Sequence, residues 1–363
     1  MSTSSMDHLL EKAETHGEEL TRGEIIALLS VEGEDAARLI QTADRVRQAY
    51  CGDAVHIRGL IEFSNICARN CNYCGLRRDN TDIKRYRMPI DEIIQVSVDT
   101  VRKSIGTIVL QSGEDPWFTA ERMAEIIRGI KSQVDCAITL SIGERPYDDY
   151  RIMKEAGADR YLLRHETANP ELYRKLHPDM EFENRVRCLH DLRSLGYQVG
   201  AGCMVGLPGQ TVEDLADDVL FVRDLDADMA GIGPYIPHPN TPLGDSPGGD
   251  LRMTIKMVSV VRIVTRNALL PATTAAGSID EFGREKALMA GADVVMPNYT
   301  PLAYRVNYEI YPNKRCITED PAQCDGCMRA RILSIGRTVA EGPGHSLRRN
   351  GSPFQQMERN RQR

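Results

Sequence analysis

Three cysteines stand close together in FSNICARNCNYCGLRRDN, residues 63–80: Cys67, Cys71 and Cys74, spaced Cys-x3-Cys-x2-Cys. Three thiols cannot all pair as disulfides, and a tetrahedral metal on three thiolates lacks its fourth ligand. A structural zinc would take that ligand elsewhere: His56 belongs to a strand-like stretch, and Asp79 and Asp82 follow nearby. The other reading is an iron–sulfur cluster, whose ligands are cysteine thiolates. A four-iron cluster on three thiolates leaves one iron open to bind something else. Gly75, directly after the last cysteine, lets the loop turn sharply.

A second trio, Cys316, Cys324 and Cys327, lies in RCITEDPAQCDGCMRA with Cys-x7-Cys-x2-Cys spacing. It is compatible with another iron–sulfur cluster, with zinc completed by a residue such as Asp325, or with unligated thiols. Cys136 in CAITLSI and Cys203 in VGAGCMVGL sit in apolar surroundings and read as small core residues, as do Cys51 and Cys188. The net charge of -7 argues against a nucleic-acid backbone or an acidic membrane surface as partner. The polar start, MSTSSMDHLLEKAETHGEEL, has no apolar signal-peptide core, and no run is long enough to span a membrane. A cytoplasmic setting is expected, where clustered cysteines are metal ligands more often than staples.

Reactive groups need a frame to hold them. The first fifty residues carry apolar positions at helical spacing, stopped by Gly52. Strand-like and helix-like segments then alternate: AVHIRGLIEFS, GTIVLQSGE, CAITLSIGE, DRYLLRHET, YQVGAGCMVGLPGQ, DMAGIGPYIPH, LLPATTAAG and ADVVMPN, with amphipathic helices between them. Eight such units predict an α/β fold, a (βα)8 TIM-type barrel, with an open doubly wound sheet as the alternative. The predicted organisation is an N-terminal helical segment (1–53), the barrel (54–300), a C-terminal segment with the second cysteine trio (301–335) and a mobile tail (336–363).

A barrel puts its functional groups at the C-terminal ends of its strands. The polar loops fall there. Ser112 and Glu114 in QSGED are candidates, though they also suit a turn. Arg164 and Glu166 in LLRHETANP alternate, so they share a face, with His165 opposite. Charges at the inward end of a strand are costly unless used. GLPGQT (206–211) lacks the Lys-Ser/Thr ending of a phosphate loop.

The triad after the first strand, with Tyr73 just before its last cysteine, resembles the radical S-adenosylmethionine (SAM) superfamily. The motifs NCNYCGLRRDN, RYRM, VLQSGEDP, RYLLRHETANPELYRKLHP, VGLPGQT, GIGPYIPHPNTPL, PATTAAGSI and VMPNYTP, over about residues 55–330, resemble the HydE family of [FeFe]-hydrogenase maturases. The resemblance implies a [4Fe-4S] cluster on Cys67, Cys71 and Cys74 whose open iron chelates SAM. Reductive cleavage of SAM would then serve assembly of the hydrogenase diiron subcluster, acting on a cysteine-bound iron carbonyl cyanide complex. It assigns Tyr73, Ser141 in SIGER, Glu166, Arg185 and Gly206 to the cofactor, and Arg164, Met229, Thr273 and Thr274 to the substrate. Arg164, Tyr311 and Ser112 are the implied catalytic groups. Cys316, Cys324 and Cys327 are implied to hold a second cluster, [2Fe-2S] or [4Fe-4S]. Implied partners are a flavodoxin- or ferredoxin-type electron donor and the maturases HydG and HydF. Methylornithine synthase and biotin synthase share the layout and define the alternative, a mutase or sulfur-insertion enzyme. A non-catalytic iron–sulfur carrier would not need polar groups at successive strand ends.

Overall fold

The computed structural model describes residues 3–318 and 321–347, with the side chains of residues 3, 4 and 321–325 left out. Helices α1 (Thr3–His16), α2 (Arg22–Leu29) and α3 (Gly33–Cys51) come first. Thr21 and Glu24 start α2 with reciprocal side-chain-to-backbone bonds, and Gly52 at φ +72° ends α3. All three helices pack on the helix Leu251–Thr265, whose residues from Thr254 to Thr265 are consequently all buried. Gly17 permits one close approach here, since a Cβ would meet the Ile263 carbonyl oxygen at 2.6 Å.

The strands are β1 (Ala54–Ile57), β2 (Gly59–Ser64), β3 (Thr107–Ser112), β4 (Ala137–Ser141), β5 (Arg160–Leu162), β6 (Gln198–Ala201), β7 (Met204–Val205), β8 (Met229–Ala230), β9 (Gly233–Pro234), β10 (Val294–Val295) and β11 (Thr338–Val339). A parallel sheet runs β2-β3-β4-β5-β6-β8. Single parallel bridges, Met229 to Leu269 and Pro271 to Val294, continue it to β10, which pairs with β1. Because β1 leads straight into β2, the ring closes as a barrel, with helices on its outside. Strand order alone rules out the open sheet. The seventh position is thinner than the sequence suggests: Pro271 has no N–H for the ladder, and Thr273 caps a helix, Thr274–Ile279, instead of extending a strand. β7 and β9 pair above the ring and lengthen its rim.

The expected mobile tail needs correction over residues 336–347; residues 348–363 lie outside the described residues. β11 pairs with β1, and Arg337 donates to the carbonyls of Asp53 and Leu288. The chain then crosses the N-terminal mouth of the barrel, where Thr107 Oγ1 and Arg160 Nη2 donate to Pro343 O at 2.7 Å each. Arg160 Nη2 also reaches Gly344 O at 2.9 Å. A composition poor in apolar residues therefore gives order here by supplying backbone acceptors to buried arginines. A chain ending at Ile335 is expected to melt lower, on the order of 5–10 °C, because buried charged donors left unsatisfied cost about 1–3 kcal/mol each. Calorimetry checks this, and an unchanged midpoint would show that the plug holds nothing.

Candidate active site

The cysteine loop follows β2 and owes its shape to polar side chains, buried Asn65 and Asp115 and the less buried Arg85 and Arg87. Asn65 Oδ1 accepts Tyr86 N–H at 2.7 Å, while its Nδ2 donates to Lys84 O and Asn307 O. Arg85 donates to four loop carbonyls, those of Asn65, Leu76, Arg77 and Asn80. Arg87 grips Asp115 with Nε and Nη2, at 2.7 and 2.9 Å, and Ser64 donates to the same carboxylate. Burial works to raise the Asp115 carboxyl, but the Arg87 and Ser64 bonds outweigh it and hold it below the usual range. Arg85, Arg87 and Asp115 are thus part of the site's frame; the RYRM motif carried the signal of the two arginines and VLQSGEDP that of Asp115. Gly113 lets the next loop close on the cysteines, since a Cβ would meet Ile66 O at 2.3 Å.

Cys67, Cys71 and Cys74 are half-buried and open onto one cavity of about 370 Å³ inside the C-terminal end of the barrel. Burial pushes all three thiols up, Cys74 to about 12, so it takes bound metal to hold them as thiolates. Arg69 N–H already donates to Cys67 Sγ at 3.4 Å, as backbone amides do to cluster sulfurs. The donor set fits three thiolates around iron and sulfide.

Tyr73, Ser112, Ser141, Arg164, Glu166, Arg185, Thr273, Thr274 and Tyr311 all line the same cavity. Arg164 Nη2 lies 2.9 Å from Glu166 Oε2, so the two meet as expected, but both lie past the end of β5 and Glu166 has φ +66°, so strand alternation is not what pairs them. The approach is poorly aligned, however, and leaves Arg164 Nε and Nη2 without a hydrogen-bond partner. Arg185 Nε donates to Glu144 at 2.7 Å and its Nη1 to the Arg164 carbonyl at 2.8 Å. Glu144 N–H in turn donates to Glu114, which pairs with Arg69. Gly143 makes room for this, because a Cβ there would meet Glu114 Cγ at 2.0 Å. Tyr73 O–H donates to His177 Nε2 at 3.0 Å; His177 Nδ1 faces the Tyr173 carbonyl, and burial, aided by Arg185, lowers His177 to about 3, keeping it neutral. Thr273 Oγ1 accepts Ala276 N–H, and Thr274 Oγ1 accepts Arg284 Nη2 at 3.1 Å.

Two expected residues are elsewhere. Met229 packs beneath the cavity with Leu269 and Val294, its sulfur accepting Arg58 Nη1 at 2.9 Å. β8 simply begins too low for residue 229 to reach the wall, which Gly231 and Gly233 supply. Gly206 is also outside the wall: its φ of +87° serves backbone packing, with a Cβ meeting Gly249 Cα at 2.3 Å. Met204 and Tyr235 line the cavity there instead.

Sequence reasoning missed a buried pair, Glu62 and Lys314. Lys314 Nζ donates to Glu62, whose other oxygen accepts Asn298 Nδ2 at 2.7 Å. A glutamate inside GLIEFS was the available signal, since apolar strands do not keep an unpaired carboxylate. Tyr308 and Gln111 were missed as well. Lys314 also lines a second cavity of about 250 Å³ that contains Cys316 and Cys327. The side chain of Cys324 lies outside the described residues. The second cysteine site thus adjoins the first cavity, sharing Leu60, Thr274, Met296 and Lys314 as wall.

Residues 61–222 match the Radical SAM superfamily model. The chain is 52% identical, over 91% of its length and 94% of the relative's, to "[FeFe] hydrogenase maturase subunit HydE" of Thermotoga maritima. It belongs to the HydE family. A 3-methylornithine synthase of Methanosarcina acetivorans is 28% identical over 85% of this chain and 89% of its own. The crystal structure of methylornithine synthase (PylB) superposes with a TM-score of 0.80 at 26% identity, covering 92% of this chain and 97% of that one. As a HydE-family member the chain is an enzyme of the radical SAM class and a maturase of [FeFe] hydrogenase, and the cofactors that class implies are a [4Fe-4S] cluster and SAM. No helix among the described residues is long and apolar enough to cross a membrane.

Proposed function

We propose that Cys67, Cys71 and Cys74 hold the [4Fe-4S] cluster, and that the enzyme acts on a cysteine-bound iron carbonyl cyanide precursor of the hydrogenase diiron subcluster. The bound, reduced cluster would supply the electron that cleaves SAM to a 5'-deoxyadenosyl radical. The protein supplies orientation, charge and exclusion of water. Glu166 and Arg185 contact SAM, with Tyr73 and Ser141 beside it; the anchoring of Arg185 on Glu144 and the Arg164 carbonyl supports a fixed clamp. Arg164, Thr273 and Thr274 hold the carboxylate of the substrate, with Ser112 and Tyr311 at the reacting end.

One observation carries the substrate reading: Arg164 lines the cavity that the cysteine triad opens onto, and its guanidinium is under-satisfied there, Nε having no hydrogen-bond partner and Nη2 only the ill-aligned contact with Glu166. Buried guanidinium donors left unsatisfied are costly, and an anionic ligand repays them. Cys316, Cys324 and Cys327 hold an accessory cluster, [2Fe-2S] or [4Fe-4S]. The electron donor is a flavodoxin or ferredoxin, the flanking maturases are HydG and HydF, and the setting is the cytoplasm. The test uses anaerobically reconstituted, dithionite-reduced protein with SAM. Formation of 5'-deoxyadenosine is expected to accelerate with the cysteine-bound iron complex and not with free amino acids. Acceleration by a free amino acid alone would favour the mutase reading instead.

A further inference from the structure

Glu166 has φ +66°, a left-handed backbone that costs a non-glycine residue energy and persists only where its surroundings impose it. Its N–H donates to Gly202 O at 3.0 Å and its carbonyl accepts Met204 N–H at 3.1 Å. These bonds fix the residue to β6 and β7 but do not by themselves choose the hand of the turn. The flanking residues are held separately. His165 is fully buried and points away from the cavity. Its Nδ1 accepts Gly202 N–H at 3.3 Å, which places the ring proton on Nε2, 3.2 Å from Asp218 Oδ1. The same Asp218 oxygen accepts Ala168 N–H at 2.6 Å. The ring also lies against Phe221, 4.3 Å between centroids. Asp218 and Phe221 are both on the helix Val212–Asp224, so one helix grips the chain on both sides of Glu166.

We propose that His165 and Asp218 are positioning residues that hold Glu166 in its left-handed conformation and so aim its carboxylate into the cavity, an inference resting on the reading of Glu166 as a SAM contact. His165, Asp218 and Cys203 have ligand atoms within 4.8 Å of one another, a spacing a metal ion could also use. Here both imidazole nitrogens and the Asp218 oxygen are already hydrogen-bonded, and all three side chains are fully buried. The cluster is a brace. It acts on the cofactor only through Glu166.

The experiment measures SAM affinity by titration of reconstituted protein, with iron content as the control for the first cluster. His165→Phe keeps the ring packing on Phe221 but removes both hydrogen bonds; it is expected to keep its iron and weaken SAM binding about tenfold. His165→Gln retains an acceptor and a donor and should return within about threefold of the original. In a Glu166→Gln background, His165→Phe should cost nothing more, because its effect passes through Glu166. Additive losses in that double variant would mean a general structural role and overturn the inference. Unchanged SAM affinity in His165→Phe, with a loss in Glu166→Gln, overturns the positioning role and leaves the Glu166 reading standing. Unchanged affinity in Glu166→Gln removes both. If His165→Phe does not fold, Asp218→Asn, which keeps an acceptor for Ala168 N–H, carries the same double-variant test.

Discussion

Changing any one of Cys67, Cys71 or Cys74 to alanine is expected to abolish reductive cleavage of SAM. In the proposed ligation each thiolate is one of only three protein anchors, and the loop offers no spare thiol. Of the second trio, Cys316 and Cys327 border a separate cavity behind the Leu60, Thr274, Met296 and Lys314 wall. The loop itself should survive the change, because Arg85 and Asn65 bind its backbone rather than its sulfurs. Loss of about four irons per chain with an unchanged fold would therefore separate loss of the cluster from unfolding. The assay is 5'-deoxyadenosine formation under dithionite, beside iron and sulfide content and circular dichroism. Cleavage at the original rate in any single variant would remove that cysteine from the radical site.

Arg164→Met should weaken binding of the anionic substrate by about thirtyfold, on the basis of roughly 2 kcal/mol for a charge-assisted bond. Methionine keeps much of the length of the side chain and removes the donors. The loss falls in the lower part of the usual range because Arg164 retains 29% side-chain exposure, so water shares in screening the charge. Glu166 loses its neighbour in this variant, so SAM binding should fall too, but by less, since chelation of SAM at the open iron does not depend on Arg164. Paired titrations, one with SAM and one with a cysteine-derived dicarboxylate, distinguish the two effects. Equal affinity of variant and parent for the dicarboxylate would take Arg164 out of the substrate site. A loss confined to SAM would place it in the cofactor shell.

Much of the site was legible because it is encoded locally. The cysteine spacing, the nearness of Arg164 to Glu166 two positions on, and the polar endings of successive strands are all set within a few residues. Strand–helix alternation also limits the topology, since parallel neighbours need helical crossovers. The closed ring then brings those endings to one mouth.

Other features depend on where separate segments meet. Lys314 finds Glu62 from 252 residues away, and only closure of the barrel makes them neighbours. Met229 has the apolar character of a cavity residue, but the height at which β8 begins puts it beneath the floor, against Arg58. The stretch after Gly336 reads as solvated tail because its composition cannot build a core; its order comes instead from Arg160 and Thr107, which need its carbonyls. Glu166 shows both sources at once. Its residue type and register follow from RHET alone. Its left-handed backbone was set by Gly202, His165 and Asp218, brought together from three segments by the packing of a helix on the barrel. Residue chemistry and local period are properties of neighbouring positions, so the sequence by itself determined the spacing of the cysteine triad, the fold class and the polar loops that gather at one end of the barrel. Depth, hand and counter-charge are properties of the closed barrel, because burial and dielectric exist only once distant segments have excluded water.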